Sequence, residues 1–292
     1  MWVFLQISLI HIIALASMGV FTFGWLFTGR YPWFLTAVCA FDWYIVNLTN
    51  RVADFKEDQE NRITGADFAF RHRRMISYSH GFVLIASIFI VHMVNPAITG
   101  LRILGHLLGI FYNFPLLPGK KRLKDLYFWK NTASALGFLI TVFGYPLATV
   151  YNNSSFHFPS GISWITILFS CLFFFLFEVS YEIIYDLRDI KGDIIAGLKT
   201  YPVVHGEPAA VNIIDSLLLC SILILGIGYL TQFVPWRIFI MMGAPVLQFL
   251  VYKKLRQKGI SSGDCILMTW LGVGMFIIYH IWVVAGLPGS EI

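Results

Sequence analysis

The chain has 292 residues, of which 58% are hydrophobic and only 13% are charged. This apolar content far exceeds what one soluble core of this size buries, so the composition excludes an ordinary soluble protein. The net charge of +5 is modest, and charge of that size on a membrane face requires no nucleic-acid partner.

Nine apolar segments are long enough to cross a bilayer, which takes roughly 20 mostly apolar residues per helix. They are residues 2–28, 31–50, 75–94, 98–113, 131–150, 160–185, 209–230, 235–252 and 264–286. The first segment contains Ala14-Leu15-Ala16, which resembles a signal-peptide cleavage site, but no basic residue precedes Arg30, so we expect a retained helix. The sequence therefore predicts an all-α, multi-pass membrane protein with one domain over residues 1–292.

The basic residues indicate how the chain is oriented in the membrane. Of the 21 Lys and Arg residues, 18 fall in four alternating connections, residues 51–74, 114–130, 186–208 and 252–263. Because basic loops stay on the cytoplasmic side, these connections and the N-terminus are expected to be cytoplasmic. The C-terminus is then external, and we expect the cell inner membrane as the location.

A first polar motif lies at the cytoplasmic end of the second predicted span. Asn50, Asp54 and Asp58 follow one another at intervals of four residues. In a helix, side chains at this spacing share one face and lie about 6 Å apart. Such a row of oxygen atoms is also typical of a simple solvated helix end, so this motif alone does not identify a site.

A second acidic motif makes the difference. Asp186, Asp189 and Asp193 end the sixth predicted span, on the same predicted side of the membrane. Carboxylates gathered at one site repel each other unless a cation lies between them, and oxygen ligands suit Mg²⁺. Mg²⁺ in turn often binds substrate phosphates, so the pattern indicates a magnesium site that holds a diphosphate.

The nearby basic residues and the surrounding lipid define the expected substrate. Basic side chains that could hold the remaining diphosphate oxygens are Arg62, Arg71, Lys120, Lys121, Arg122 and Lys130. Since the site lies where apolar helices meet the cytoplasm, the substrate is expected to carry an apolar tail, as a prenyl diphosphate does. Metal ions and basic groups would stabilise the leaving diphosphate.

Three functions fit these features. A transferase would pass the prenyl cation to a lipophilic acceptor, whereas a membrane terpene cyclase would let the cation react with its own double bonds. A transporter is the third, but its charged residues are expected near the middle of the membrane, and the acidic motifs here gather on one side.

Three further acidic residues lie inside predicted spans, where a carboxyl group is costly and often functional. Asp42 could line a cavity and bind the acceptor, or it could be satisfied by a neighbouring helix. Glu178 and Glu182 extend the second motif into the membrane. Glu182 could orient the acceptor or take up its proton, or it could form a helix–helix hydrogen bond.

The motifs resemble those of the UbiA superfamily of intramembrane prenyltransferases. That family carries Asn-x-x-x-Asp-x-x-x-Asp, matched by Asn50, Asp54 and Asp58, and Asp-x-x-x-Asp, matched by Asp189 and Asp193 with Asp186 as a common addition. The run GDIIAGLKT places Lys199 at a family position, and the stretch YNFPLLPGKKRLKDLYFWKN contributes Tyr112, Lys130 and Asn131.

The resemblance implies nine helices in a ring around a central cavity and prenyl transfer to a lipophilic, often aromatic, acceptor. It implies Mg²⁺ as the cofactor, bound by Asn50, Asp54, Asp58, Asp189 and Asp193, with the four aspartates as catalytic residues. It implies that the substrate is bound by Asn50, Arg62, Arg71, Tyr112, Lys120, Lys121, Arg122, Lys130, Asn131, Asp186 and Lys199. Many members have prolines after the first motif, but this chain reads ENRITGADFAFRHRR, so we expect its loop over the site to differ.

Overall fold

The computed structural model describes residues 9–60, 65–151 and 155–286, and nearly all of these residues are helical. Within those ranges the β structure is limited to one isolated bridge between Leu117 and Lys121. The prediction of an all-α protein is confirmed.

The helices follow one another along the chain with short connections. The first half contains α1 (Ile10–Thr28), α2 (Trp33–Ala53), α3 (Phe55–Glu60), α4 (Ala66–Arg71), α5 (Arg73–Val94), α6 (Thr99–Asn113), α7 (Trp129–Leu139) and α8 (Tyr145–Tyr151). The second half contains α9 (Trp164–Ala196), α10 (Tyr201–His205), α11 (Glu207–Leu230), α12 (Trp236–Phe239), α13 (Gly243–Arg256) and α14 (Ser262–Val284). A π-helical turn, Ile140–Gly144, joins α7 to α8.

Seven helical segments in the described part of the chain are long and apolar enough to cross a membrane. They are Ile10–Thr28, Arg73–Val94, Trp129–Tyr151, Trp164–Ala196, Glu207–Leu230, Trp236–Arg256 and Ser262–Val284. Helices α2 and α6 occupy two other predicted spans but do not meet these criteria. Helix α6 has only 15 residues, and α2 carries several polar side chains, among them Asp42 and Arg51. The predicted count of nine spans therefore stays a prediction.

The burial pattern separates helices that meet lipid from helices that form the interior. Only 11% of the residues in an apolar 18-residue stretch of α5 are buried, and Phe82, Ile85 and Phe89 are largely exposed. Such an exposed apolar face matches a lipid environment and would be unusual in water. Helix α9 instead packs against α7 and α11, and α1 packs against α2, α8 and α14.

Helix α9 is the longest element and carries the second acidic motif near its C-terminal end. It begins with a capping box in which the hydroxyl groups of Ser163 and Thr166 satisfy free backbone amides. It ends at Gly197, whose φ of 70° is the left-handed conformation that glycine adopts without strain. The 33 residues between these caps extend from one membrane face past the other.

A buried polar network ties α2 to its neighbours inside the membrane. Asp42 is only 3% exposed, and it accepts hydrogen bonds from Arg102 (Nε to Oδ2, 2.9 Å), His106 (3.0 Å) and the Tyr145 hydroxyl (2.8 Å). Arg102 also donates to the carbonyl oxygen of Ser87 on α5 at 3.0 Å. Asp42 is thus satisfied by neighbouring helices, the structural alternative considered from the sequence.

We expect Asp42→Leu to destabilise the protein by about 3 kcal/mol or more, because it leaves the Arg102 guanidinium buried without its anionic partner. The measurement is the unfolding temperature of the purified protein in detergent. The double variant Asp42→Leu/Arg102→Leu should lose less stability than the sum of the two single variants, since it removes both charges together. Additive losses would contradict this account.

Candidate active site

The two acidic motifs face one cavity of about 320 Å³. Residues of α1, α2, α6, α7, α9 and α14 line this cavity. Helices α2 and α9 both end at the same side of the protein, which brings Asp54 and Asp58 opposite Asp189 and Asp193. The structure therefore unites residues that are more than 130 positions apart in the sequence.

The first motif keeps its helical spacing although the helix is interrupted. Helix α2 ends at Ala53 with Asp54 as its C-cap, and α3 begins at Phe55. The backbone amide of Asp54 donates to Asn50 O at 2.9 Å, and the amide of Asp58 donates to Asp54 O at 2.8 Å. Because this hydrogen bonding continues across the junction, Asn50, Asp54 and Asp58 all line the cavity.

Basic side chains neutralise the first motif. Lys124 lies between Asp54 and Glu57 and donates to both, at 2.6 Å to Glu57. Arg51 donates to Asp58 at 2.8 Å, and Arg122 donates to Glu57 at 2.8 Å. Asn50 donates its side-chain amide to Asp54 at 2.6 Å.

Burial and these cations pull the carboxyl groups in opposite directions. Burial raises the pKa of Asp54 and of Asp58 above the ordinary value, and the attraction of Lys124 and Arg51 offsets only part of the effect. Burial also acts to raise the pKa of Glu57, but Lys124 and Arg122 outweigh it and the pKa is lowered. Lys124 is therefore the cation that opposes the effect of burial on both acids.

The second motif has its own lysine. Lys130 at the start of α7 lies 2.8 Å from Asp186 and 3.1 Å from Asp193. Asn131 donates to Asp186 at 2.8 Å, and Arg188 donates through Nε to Asp189 at 2.7 Å. Each motif thus pairs its acids with a lysine that follows α6 in the chain.

The donor set is that of a hard cation, although the acids are held by ammonium and guanidinium groups in this conformation. Within the described ranges, no group of three or more His, Cys, Asp and Glu side chains is arranged to hold one ion. All predicted ligands nevertheless present oxygen atoms to the same cavity, and oxygen atoms are the ligands that Mg²⁺ prefers. A metal would replace the basic partners of these carboxylates.

The structure brings most predicted site residues together, but not all of them. The cavity is lined by Asn50, Asp54, Asp58, Tyr112, Lys130, Asp186, Asp189 and Asp193. Arg122 and Asn131 contact residues that line it. Arg71, Lys120, Lys121 and Lys199 are exposed and do not line the cavity in this conformation. Arg62 lies outside the described residues.

Sequence reasoning missed several cavity residues, above all Lys124 and Glu57. Lys124 is only 2% exposed, unlike Lys120 and Lys121 in the same basic stretch. Glu57 follows Asp54 by three residues, and that helical spacing could have placed it on the same face. Nothing in the residue pattern distinguishes Lys124 from its basic neighbours.

Residues 7–277 match the model of the UbiA prenyltransferase family. The chain belongs to the UbiA prenyltransferase family. Its apolar helices and this membership make it a multi-pass integral membrane protein. The resemblance noted in the two acidic motifs is confirmed.

Solved structures of UbiA homologues share the fold. A UbiA homologue from Archaeoglobus fulgidus bound to DMAPP and Mg²⁺ is 15% identical, with a TM-score of 0.71 over 97% of this chain and 99% of that one. The same homologue bound to GPP and Mg²⁺ gives 14% identity and a TM-score of 0.69 over the same shares of the two chains. A digeranylgeranylglyceryl phosphate synthase is 15% identical, with a TM-score of 0.56 over 99% of this chain and 98% of that one. A search of the curated proteins gives no match.

We expect Lys124→Met to lower the unfolding temperature at pH 7 by roughly 5 °C or more, because Asp54 and Glu57 lose their shared cation. Unpaired buried acids have raised pKa values in the folded state, so they cost stability above their unfolded pKa and cost less as the pH falls. The deficit should therefore shrink between pH 7 and pH 5.

Thermal unfolding of the detergent-solubilised protein at both pH values tests this expectation. Lys121→Met, at an exposed position of the same stretch, is the matched control. A deficit that is equal at both pH values would show that Lys124 stabilises the site through its packing and not through its charge.

Proposed function

We propose that this protein is a Mg²⁺-dependent intramembrane prenyltransferase that ionises a prenyl diphosphate and transfers the prenyl group to a lipophilic acceptor. The observation that carries the proposal is the convergence of both acidic motifs on one cavity, in a chain of the UbiA family. The A. fulgidus homologue bound to DMAPP or GPP with Mg²⁺ supports the donor class.

The residues that would hold the metal are Asn50, Asp54, Asp58, Asp189 and Asp193. Bound Mg²⁺ would supply Lewis-acid and counter-charge stabilisation for the leaving diphosphate. Asp186 would contribute to substrate binding, because Lys130 and Asn131 hold it beside Asp193.

The lysines would change partners when substrate binds. In this structure the ammonium groups of Lys124 and Lys130 donate hydrogen bonds to carboxylates of the two motifs. With Mg²⁺ held by those carboxylates, the ammonium groups of Lys124 and Lys130 would be free to donate to diphosphate oxygens. Arg122 and Tyr112 would also bind the substrate. Arg122 donates a hydrogen bond to Glu57, and the Lys124 ammonium group lies 6.0 Å from the centre of the Tyr112 ring.

The exposed basic residues would act before the diphosphate enters the cavity. Arg71, Lys120, Lys121 and Lys199 are exposed, and all four belong to the basic connections on the motif side of the chain. There they would attract the anionic substrate from the cytoplasm and contact it on entry. Arg62 is assigned the same role from the sequence alone.

The apolar cavity wall fits the prenyl tail and a carbocation. Trp43 and Phe138 lie 4.2 Å apart between ring centres, and both line the cavity below the motifs. Aromatic faces stabilise a cation that is held away from water. An aromatic acceptor stacked on such rings would bond to the cation formed when the carbon–oxygen bond to diphosphate breaks, and the proton it loses would pass to a carboxylate on the cavity wall such as Glu182.

We expect Asp54→Asn and Asp189→Asn each to reduce Mg²⁺-dependent turnover by roughly 100-fold or more, because each removes a charged ligand opposite the leaving group. Purified protein would be incubated with geranyl, farnesyl or geranylgeranyl diphosphate and a panel of acceptors, and products would be read by mass spectrometry. Removing Mg²⁺ with EDTA should abolish turnover.

The control is Asp67→Asn, which changes an exposed carboxylate at the start of α4. Full activity in either motif variant would refute the proposed role. Incubation without acceptor separates the two UbiA-type reactions. Terpene hydrocarbons or alcohols formed from the donor alone would identify a cyclase, whereas the transferase makes product only when acceptor is present.

We further propose that the motif end of the cavity faces the cytoplasm of a cell inner membrane. Exposed Lys121, on the motif side, and exposed Ser160, in the connection before α9, would then lie on opposite faces. A membrane-impermeant maleimide should label Lys121→Cys in inverted vesicles and Ser160→Cys in spheroplasts. The unmodified chain measures background labelling of its four cysteines, and the reverse pattern would invert the topology.

A further inference from the structure

Below the motifs, the cavity continues into a part that we call the inner pocket, lined by Trp43, Asn47, Ser134, Phe138, Glu178 and Glu182. Glu182 precedes Asp189 on α9 by seven residues, and Asn47 precedes Asp54 on α2 by the same interval. At 1.5 Å per residue both side chains lie roughly 10 Å deeper than the motifs. The two walls of the inner pocket thus present polar groups at matching depth.

The hydrogen bonds inside this pocket are incomplete. Glu182 accepts a hydrogen bond from the Ser134 hydroxyl at 2.6 Å. Glu178 is only 2% exposed and lines the cavity one helical turn deeper than Glu182. The side-chain nitrogen of Asn47 is buried and lacks a hydrogen-bond partner across residues 9–60, 65–151 and 155–286. Native proteins pair nearly all buried polar groups, so this free amide on a cavity wall points to a ligand.

The missing partners specify the chemistry of that ligand. Glu178 and Glu182 offer oxygen atoms that accept hydrogen bonds, whereas the amide nitrogen of Asn47 donates. A hydroxyl group satisfies both, since its O–H donates and its lone pairs accept.

The charges of the pocket exclude one large class of acceptors. At this depth the guanidinium group of Arg102 lies on the cavity wall, and it donates its hydrogen bonds to Asp42 and Ser87. The other basic residues on the described wall lie at the motifs, where the diphosphate would engage them. An acceptor with its own carboxylate would place a third acidic group beside Glu178 and Glu182 without a cation to balance it, which is costly away from water.

We propose that the inner pocket binds the hydroxyl group of an uncharged acceptor and thereby selects neutral phenols, hydroquinones or lipid alcohols over carboxylated aromatic acceptors. The inference rests on the proposed prenyl transfer. Trp43 and Phe138 line the same pocket and would pack against the ring or chain that carries the hydroxyl group. An acceptor held there lies next to a prenyl group whose diphosphate is bound by the motifs.

The test uses acceptors that differ by one carboxylate. Full-length protein with Mg²⁺ and geranylgeranyl diphosphate is given hydroquinone or 2,5-dihydroxybenzoate, and a dialkylglycerol in a third arm separates a lipid alcohol from a phenol. We expect kcat/KM for an uncharged acceptor to exceed that for 2,5-dihydroxybenzoate by about tenfold or more. Whichever uncharged acceptor is used better identifies the source of the hydroxyl group.

Variants on two separate helices tie this preference to the pocket. Glu178→Gln, Glu182→Gln and Asn47→Ala should each raise KM for the preferred uncharged acceptor by about tenfold. Binding of radiolabelled geranylgeranyl diphosphate with Mg²⁺ is measured in parallel and should change less than twofold. Glu207→Gln, at an exposed glutamate that pairs with Arg256, is the matched control. Size-exclusion chromatography verifies the fold of each variant, and α2 and α9 give independent readings.

Two outcomes separate failure of this inference from failure of the proposed function. If donor binds and is consumed but 2,5-dihydroxybenzoate is preferred, or if KM is unchanged in the pocket variants, the assignment of the inner pocket is wrong. If wild-type protein neither binds donor nor forms product with any acceptor, the prenyltransferase proposal is wrong and the pocket assignment fails with it.

Discussion

Acidic side chains crowded around one cavity repel each other, and the placement of the basic residues answers that repulsion. Lys124 lies between Asp54 and Glu57, and Lys130 lies between Asp186 and Asp193. Both lysines come from the stretch between α6 and the first turn of α7, so a single connection neutralises motifs on two different helices. Carboxylates of both acidic motifs are thereby paired with cations from one segment of the chain.

The same constraint explains why helices around the cavity are less apolar than helices facing lipid. Helix α2 carries Asp42, Asn47, Asn50 and Arg51, and it does not meet the criteria for an apolar span. Asp42, Asn50 and Arg51 form hydrogen bonds with neighbouring side chains, which compensate for the loss of water, and Asn47 lines the cavity. Helix α5 contributes no residue to the lining of the cavity, and it exposes large apolar side chains such as Phe82, Ile85 and Phe89.

Periodic features of the site could be predicted from the sequence, and features set by loop geometry could not. The spacing of Asn50, Asp54 and Asp58 predicted one shared face, and hydrogen bonding across the α2–α3 junction preserves it. The choice among basic residues was different. A turn closed by the Leu117–Lys121 bridge leaves Lys120 and Lys121 in solvent, and the following 3₁₀ turn directs Lys124 inward. No periodicity in the sequence encodes that reversal.

The number of membrane spans is also difficult to predict from the sequence. A long apolar segment predicts a membrane span when the helix faces lipid. A helix that lines a polar cavity carries polar residues, and these lower the hydropathy on which the prediction depends. Helix α6 is short, and it gives Arg102 and His106 to the Asp42 network and Asn113 to a hydrogen bond with Asn50. Helix α6 misses the criteria for an apolar span through its length of 15 residues, whereas α2, with 21 residues, is long enough and is less apolar.

Pairing of the motif acids with lysine and arginine also bears on how substrate would enter the proposed reaction. A diphosphate alone would add negative charge to a cavity already lined by acids, and divalent cations alone would compete with resident ammonium groups for the same carboxylates. Arriving together they would add little net charge, because the cations would pair with the carboxylates while the lysines donate to the phosphate oxygens. The resident ion pairs would therefore favour joint binding of metal and diphosphate over binding of either one.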